Sequence, residues 1–85
     1  IGLLNKLFSA DELEKETMVL AQKMAAGPPI AIRYMKSEVY GGFAIDLETA
    51  LERAAMCESI TLLSQDHKEG LTALIEKRSP SFQGR

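Results

Sequence analysis

The chain has 85 residues, 46% of them apolar and 26% charged, with a formal net charge of −2. This balance is globular rather than disordered or fibrous, and the slight acidity leaves no concentrated positive charge with which to hold nucleic acid. One cysteine, Cys57, and one histidine, His67, exclude an internal disulfide framework and a structural zinc site.

No apolar run approaches the roughly 18 residues of a membrane span, and a reducing compartment such as the bacterial cytoplasm suits the single thiol. A chain this short buries only about 60 to 65% of its unfolded surface, so one core, or part of one, is expected. The chain opens on Ile1 inside the apolar run Ile1–Phe8, which reads as a cut end. The run alternates too weakly to fix a strand face and reads as a strand that has lost its sheet. Ser9-Ala10-Asp11-Glu12 is a capping box, with Ser9 expected to accept from a backbone N–H of the first turn and Phe8 and Leu13 in the staple positions. Leu13, Leu20, Ala21, Met24 and Ala25 then mark an apolar stripe at helical spacing, and Gly27-Pro28-Pro29 ends the first helix.

Pro28 or Pro29 opens a second helix running to Tyr40, because proline is tolerated where the N–H has no intrahelical partner. Ile32, Met35 and Val39 form one stripe, with Ile30 and Tyr34 beside it, and Arg33, Lys36 and Glu38 are expected to reach solvent. Gly41-Gly42 breaks the run. Asp46 caps a third helix in which Leu47, Leu51, Ala54, Ala55, Glu58 and Leu62 share a face, with Cys57 and Thr61 nearby. Ser64 caps a fourth, from about Gln65 to Lys77 or Arg78, whose cations suit the last turn, and Pro80 prevents continuation. Four amphipathic helices with short connections predict an all-α chain.

Few of these residues carry chemistry by themselves. His67 reads as a solvated residue in an exposed first turn beside Asp66, Lys68 and Glu69, and Cys57, with no basic neighbour to depress its pKa, reads as packing. Glu58 reads as a boundary residue that reaches water or an arginine. Asp11, Glu12, Glu14 and Glu16 suit one helix's opening turns and solvent face, not an acid/base pair. No phosphate-binding glycine loop or metal-ligand spacing occurs.

The closing stretch is more specific: Asp66-x-x-Glu69-Gly70, then Leu71, Leu74 and Ile75 on one helix side, then Glu76-Lys77-Arg78 and Pro80-x-Phe82-x-Gly84. Gly70 leaves a helix face bare, so that another backbone can approach, and Phe82 anchors an extended tail, its burial contributing roughly 1.5 to 3 kcal/mol. The spacing resembles the C-terminal end of the enoyl-CoA hydratase/isomerase (crotonase) family, and the resemblance covers nearly the whole chain. It implies that residues 1–85 are the C-terminal helical, trimerisation domain of a crotonase-like fold, detached from its α/β spiral core, with residues 1–8 a remnant of the link. It further implies a homo-oligomer, a trimer or dimer of trimers, acting on an acyl-CoA thioester with no covalently bound cofactor. Lys77 stands at the lysine that in related enzymes approaches the adenine and 3′-phosphate end of CoA. Leu74 replaces a phenylalanine that faces the acyl tail, and Glu58 stands where some relatives carry another aromatic of that region. Phe82 matches the tail anchor. The acid/base carboxylates and thioester-holding N–H groups of the family belong to the spiral domain, so no catalytic residue is assigned in this chain, and the chain is expected to be inactive alone. The competing expectation is a self-contained helical interaction module, its apolar stripes completed by partner helices.

Overall fold

The computed structural model describes all residues from Ile1 to Arg85 and contains four α-helices and no strand: α1 (Ala10–Ala25), α2 (Pro29–Gly42), α3 (Leu47–Leu63) and α4 (Gln65–Glu76). The run Ile1–Phe8 is irregular, since no neighbouring strand is present to pair with it. It lies along α1, where Phe8 lines a groove with Leu13, Leu20 and Met24.

Helix starts follow the sequence closely, with one exception. Asp46 accepts from the Thr49 N–H at 3.0 Å and from the Thr49 hydroxyl at 2.8 Å, and these bonds hold its carboxyl below the usual carboxylate range. Ser64 accepts from the His67 N–H at 3.0 Å. Pro28 stands at the cap of α2 and Pro29 opens the helix. Ser9 departs from the expected capping box: its hydroxyl donates to the Glu12 carboxylate at 2.6 Å instead of accepting from backbone. A carboxylate accepts a hydroxyl proton more strongly than the hydroxyl accepts an amide's, so Glu12 captures the side chain meant for the cap.

Gly41-Gly42 does not break α2, which runs through both residues to Gly42. Glycine weakens a helix by about 1 kcal/mol but does not stop it. Gly41 also has a packing reason: a Cβ there would stand 2.9 Å from the Arg53 guanidinium of α3. Arg53 pairs with Glu38 at 3.3 Å, and Glu38 also accepts from the Cys57 thiol at 3.6 Å. Glu38 therefore faces α3 and not solvent, as the stripe analysis had it. Cys57 is half-buried, and desolvation, with Glu38 adding to it, pushes its thiol pKa up.

Helix α2 packs on α3 and α3 on α4, while α1 stands off this pairing. The assembly is a plate of 44 × 38 × 18 Å, less than two helix diameters thick. Its radius of gyration is 16.2 Å, against about 12 Å for a compact domain of this length. Only Ala73 and Asp66 are buried. On α3 the half-buried residues are Thr49, Ala50, Arg53, Cys57 and Thr61, so the face turned to its neighbours is the small and polar one. The apolar stripe read from the sequence lies bare instead, with Leu47 75% and Leu51 62% exposed. On α2, Ile30, Ala31, Tyr34 and Glu38 turn inward, and of the expected stripe Ile32 is half-buried while Met35 and Val39 are uncovered.

The accessible surface is 7433 Å² for 9.3 kDa, where a compact monomer would expose about 5,000 Å². The excess, about 2,400 Å², is the area an obligate interface covers. The chain expressed alone is therefore expected to self-associate and to bind an apolar dye. A monodisperse, dye-negative monomer at tens of micromolar in analytical ultracentrifugation would contradict this.

Candidate functional site

Helix α4 carries both buried residues of the chain, Asp66 and Ala73. The helix does not end on a cationic turn as the sequence suggested. Lys77 takes left-handed backbone angles, φ 54° and ψ 38°, and the Arg78 N–H reaches back to the Ala73 carbonyl at 3.0 Å while the Lys77 N–H bonds Leu74 at 3.3 Å. This is the closing motif usually made with glycine, and an L side chain there costs about 1 to 2 kcal/mol. Its consequence is a reversal of chain direction that returns Arg78 and the following residues along α4.

The returning segment is held by the two acidic residues of the Asp66-x-x-Glu69 spacing, which lie one helical turn apart. Glu69 receives a two-pronged contact from Arg78, Nη1 to Oε1 at 2.6 Å and Nη2 to Oε2 at 2.9 Å, and also accepts from the Ser81 N–H at 2.8 Å. The Arg78 hydrogen bonds first, then the Ser81 N–H, hold the Glu69 pKa down to about 2 from an ordinary 4.5. The same contacts push the Arg78 guanidinium pKa up. Asp66 accepts from the Gln83 N–H at 2.7 Å and the Gly84 N–H at 2.8 Å, and its own N–H donates to the Arg85 carbonyl at 3.0 Å. The first turn of α4 is thus covered, not exposed: Asp66 is buried and His67 half-buried.

Gly70 meets a ring rather than another backbone. The Phe82 ring lies over it, 3.6 Å from where a Cβ would stand, an ordinary contact distance. Phe82 joins Leu71, Leu74, His67 and, from α2, Ile30 and Ala31 around an open groove of 370 Å³. This size lies in the range of small-ligand sites, and its apolar walls suit an aliphatic chain. Glu58 lies in the neighbouring groove of 380 Å³ with Tyr34, Met35 and Val39. Ala31 and Thr61 border both grooves. The structure therefore brings Leu74 and Phe82 together, sets Glu58 one groove away, and leaves Lys77 exposed at the end of α4, lining neither. No cluster of His, Cys, Asp or Glu could hold a metal ion, and no helix is long and apolar enough to cross a membrane.

A family described as enoyl-CoA hydratase/isomerase matches residues 1–85. The chain belongs to the enoyl-CoA hydratase/isomerase family. It is 33% identical over 82 residues to the crotonyl-CoA hydratase of Syntrophomonas wolfei, a match covering 96% of this chain and 32% of that protein. It is also 33% identical over 86 residues to the methylmalonyl-CoA decarboxylase of Escherichia coli, covering 99% of this chain and 33% of that protein. The crystal structure of an enoyl-CoA hydratase from Bacillus anthracis superposes with a TM-score of 0.92 at 32% identity, over 99% of this chain and 33% of that one. The chain thus spans about a third of the length of its relatives, and its helical layer is a family feature. Equal similarity to a hydratase and a decarboxylase leaves the reaction type unassigned by this third.

Sequence reasoning placed Asp66 and Glu69 in the family signature but gave them no role, and the structure shows that they hold the segment that follows α4. Their i, i+3 spacing ahead of a Pro80-x-Phe82 segment was the available signal. Because the folded Glu69 pKa lies below its unfolded value, the Arg78 clamp stabilises fully above about pH 4.5 and is lost as pH falls through about 2. In Arg78→Ala the Glu69 midpoint is expected to return toward 4.5, read from its carboxyl carbon shift by NMR. An unchanged midpoint would mean that Arg78 does not hold Glu69 in solution.

Proposed function

We propose that this chain is the C-terminal helical part of an acyl-CoA enzyme, joining subunits and forming the rim of the acyl-CoA site rather than its reacting centre. The observation that carries this reading is the bare apolar plate. A chain that matches the family along its whole length leaves its most hydrophobic faces uncovered, and a catalytic domain and neighbouring subunits supply the cover, as a trimer or dimer of trimers. The interaction-module alternative accounts for the same faces but not for the family match.

Acyl-thioester chemistry of this kind requires preorganised N–H donors where charge develops on the thioester oxygen, and carboxylates free to move protons at the acyl chain. The α4 carboxylates are already bonded to the returning segment. Proton transfer is accordingly assigned outside residues 1–85, and this chain contributes binding. Leu74, 75% exposed, offers an apolar wall for the acyl tail, with Phe82 anchoring the segment opposite and Glu58 bounding the adjoining groove. Lys77, exposed on a left-handed turn, presents an ammonium suited to the phosphates of CoA as a point charge. A reducing compartment is proposed for the protein.

Two experiments test this reading. The isolated chain is expected to leave crotonyl-CoA unhydrated, whereas the full-length protein turns over an acyl-CoA; turnover by the repurified chain would overturn the assignment. In the full-length oligomer, Lys77→Ala is expected to raise KM for CoA esters roughly 1.5- to 5-fold, an exposed charge contact, with kcat unchanged and the effect shrinking as salt rises. Alanine keeps a Cβ at the left-handed position, so backbone strain is the same in both proteins. Leu74→Ala should instead alter preference among acyl lengths without salt dependence. An unchanged KM at low salt in Lys77→Ala would leave that residue a solvated helix end.

A further inference from the structure

Asp66 is a buried carboxylate, 3% exposed, and no lysine, arginine or histidine pairs with it. Such a group is costly unless hydrogen bonds replace its lost hydration. It is not needed to cap α4, because Ser64 already accepts the His67 N–H. Both its oxygens are directed instead at Gln83 and Gly84, the two residues that follow Phe82. The same short segment is confined from the other side. Gly84 has φ +74°, and a Cβ there would stand 3.2 Å from Pro29 Cγ at the start of α2. Fixing Gln83 and Gly84 between the two helix starts leaves the Phe82 ring little freedom except over Gly70, beside Leu71 and Leu74.

We infer that Asp66 is a positioning residue for acyl-chain selectivity: by holding the Gln83 and Gly84 N–H groups it fixes Phe82 as one wall of the Leu71–Leu74 groove and so sets the size of acyl tail admitted. The inference rests on the reading that this groove takes the acyl end. An apolar site discriminates by roughly tenfold or more per methylene, so moving one aromatic wall is enough to change preference. Asp66→Asn retains the shape but turns an acceptor oxygen into a donor, leaving one of the two N–H groups facing another donor. Asp66→Glu retains both acceptors.

The test uses the full-length protein, with hydrogen exchange of the segment Ser79–Arg85 measured beside kcat/KM for short and long acyl-CoA esters. Asp66→Asn is expected to accelerate exchange of that segment and to raise the long-to-short ratio of kcat/KM on the order of tenfold. Asp66→Glu should recover part of both effects. Phe82→Ala should shift the ratio in the same direction, and adding Asp66→Asn to it should change the ratio no further. Should Asp66→Asn fail to fold, Gly84→Ala loosens the segment from the Pro29 side without altering α4 and is expected to give the same shift. Unchanged exchange in Asp66→Asn, or an equal shift in the Phe82→Ala background, would overturn the inference. A loosened segment with unaltered acyl preference would overturn the role of Asp66 alone, whereas a wild-type protein that turns over no acyl-CoA would overturn the functional reading as well.

Discussion

Two carboxylates one turn apart on α4 determine the path of everything after it. Asp66 and Glu69 hold the backbone N–H groups of Ser81, Gln83 and Gly84, and Glu69 also grips Arg78. The contacts are charge-assisted, and those at Asp66 are shielded from water, which makes them stronger than neutral bonds on an open surface. The left-handed turn at Lys77 makes the reversal possible, and its backbone cost is offset by the bonds formed downstream. Phe82 over Gly70, and the groove beside it, follow from that reversal.

Away from this clamp the molecule is a layer more than a core. The inner contacts of α2 and α3 are made by small, polar and paired groups: Ala31 and Tyr34 on one side, Ala50, Arg53 and Cys57 on the other, with Glu38 neutralised between them. Most of the large aliphatic side chains point outward, Ile30 and Ile32 excepted. Hydrophobic burial is the main driving force of folding, so a plate that leaves Leu47, Leu51, Met35 and Val39 bare is stabilised chiefly when something covers them.

This arrangement separates two kinds of work. Chemistry on an acyl thioester demands donors and proton-transfer groups held at fixed positions, and α4 commits its carboxylates to structure instead. On the proposed reading, the plate offers shape and charge at the edge of a site: an apolar groove bounded by Leu74 and Phe82, and a cation at Lys77 on a left-handed turn. Similarity at the same level to a hydratase and to a decarboxylase agrees with that division, since a shared rim can serve different reacting centres.

The sequence by itself determined the four helices, because their signals are local: Asp46 and Ser64 cap from within three residues, Pro29 opens a first turn, and apolar residues recur at helical spacing. It also carried the family signature, whose spacing survives without knowledge of what the residues touch. It misjudged Ser9, Glu38 and Gly41-Gly42, where a partner side chain or a neighbouring helix decides the outcome. Periodicity identified the apolar stripes but not which of them would be covered, since burial depends on which elements meet. Only the tertiary structure decided that Asp66 is buried, that Lys77 turns the chain back, and that Phe82 and Leu74 share a groove while Glu58 does not. Those outcomes depend on contacts between residues far apart in the chain, Asp66 with Arg85 and Ile30 with Phe82 among them, and no local pattern fixes the closure of such a loop until the groups at both ends meet.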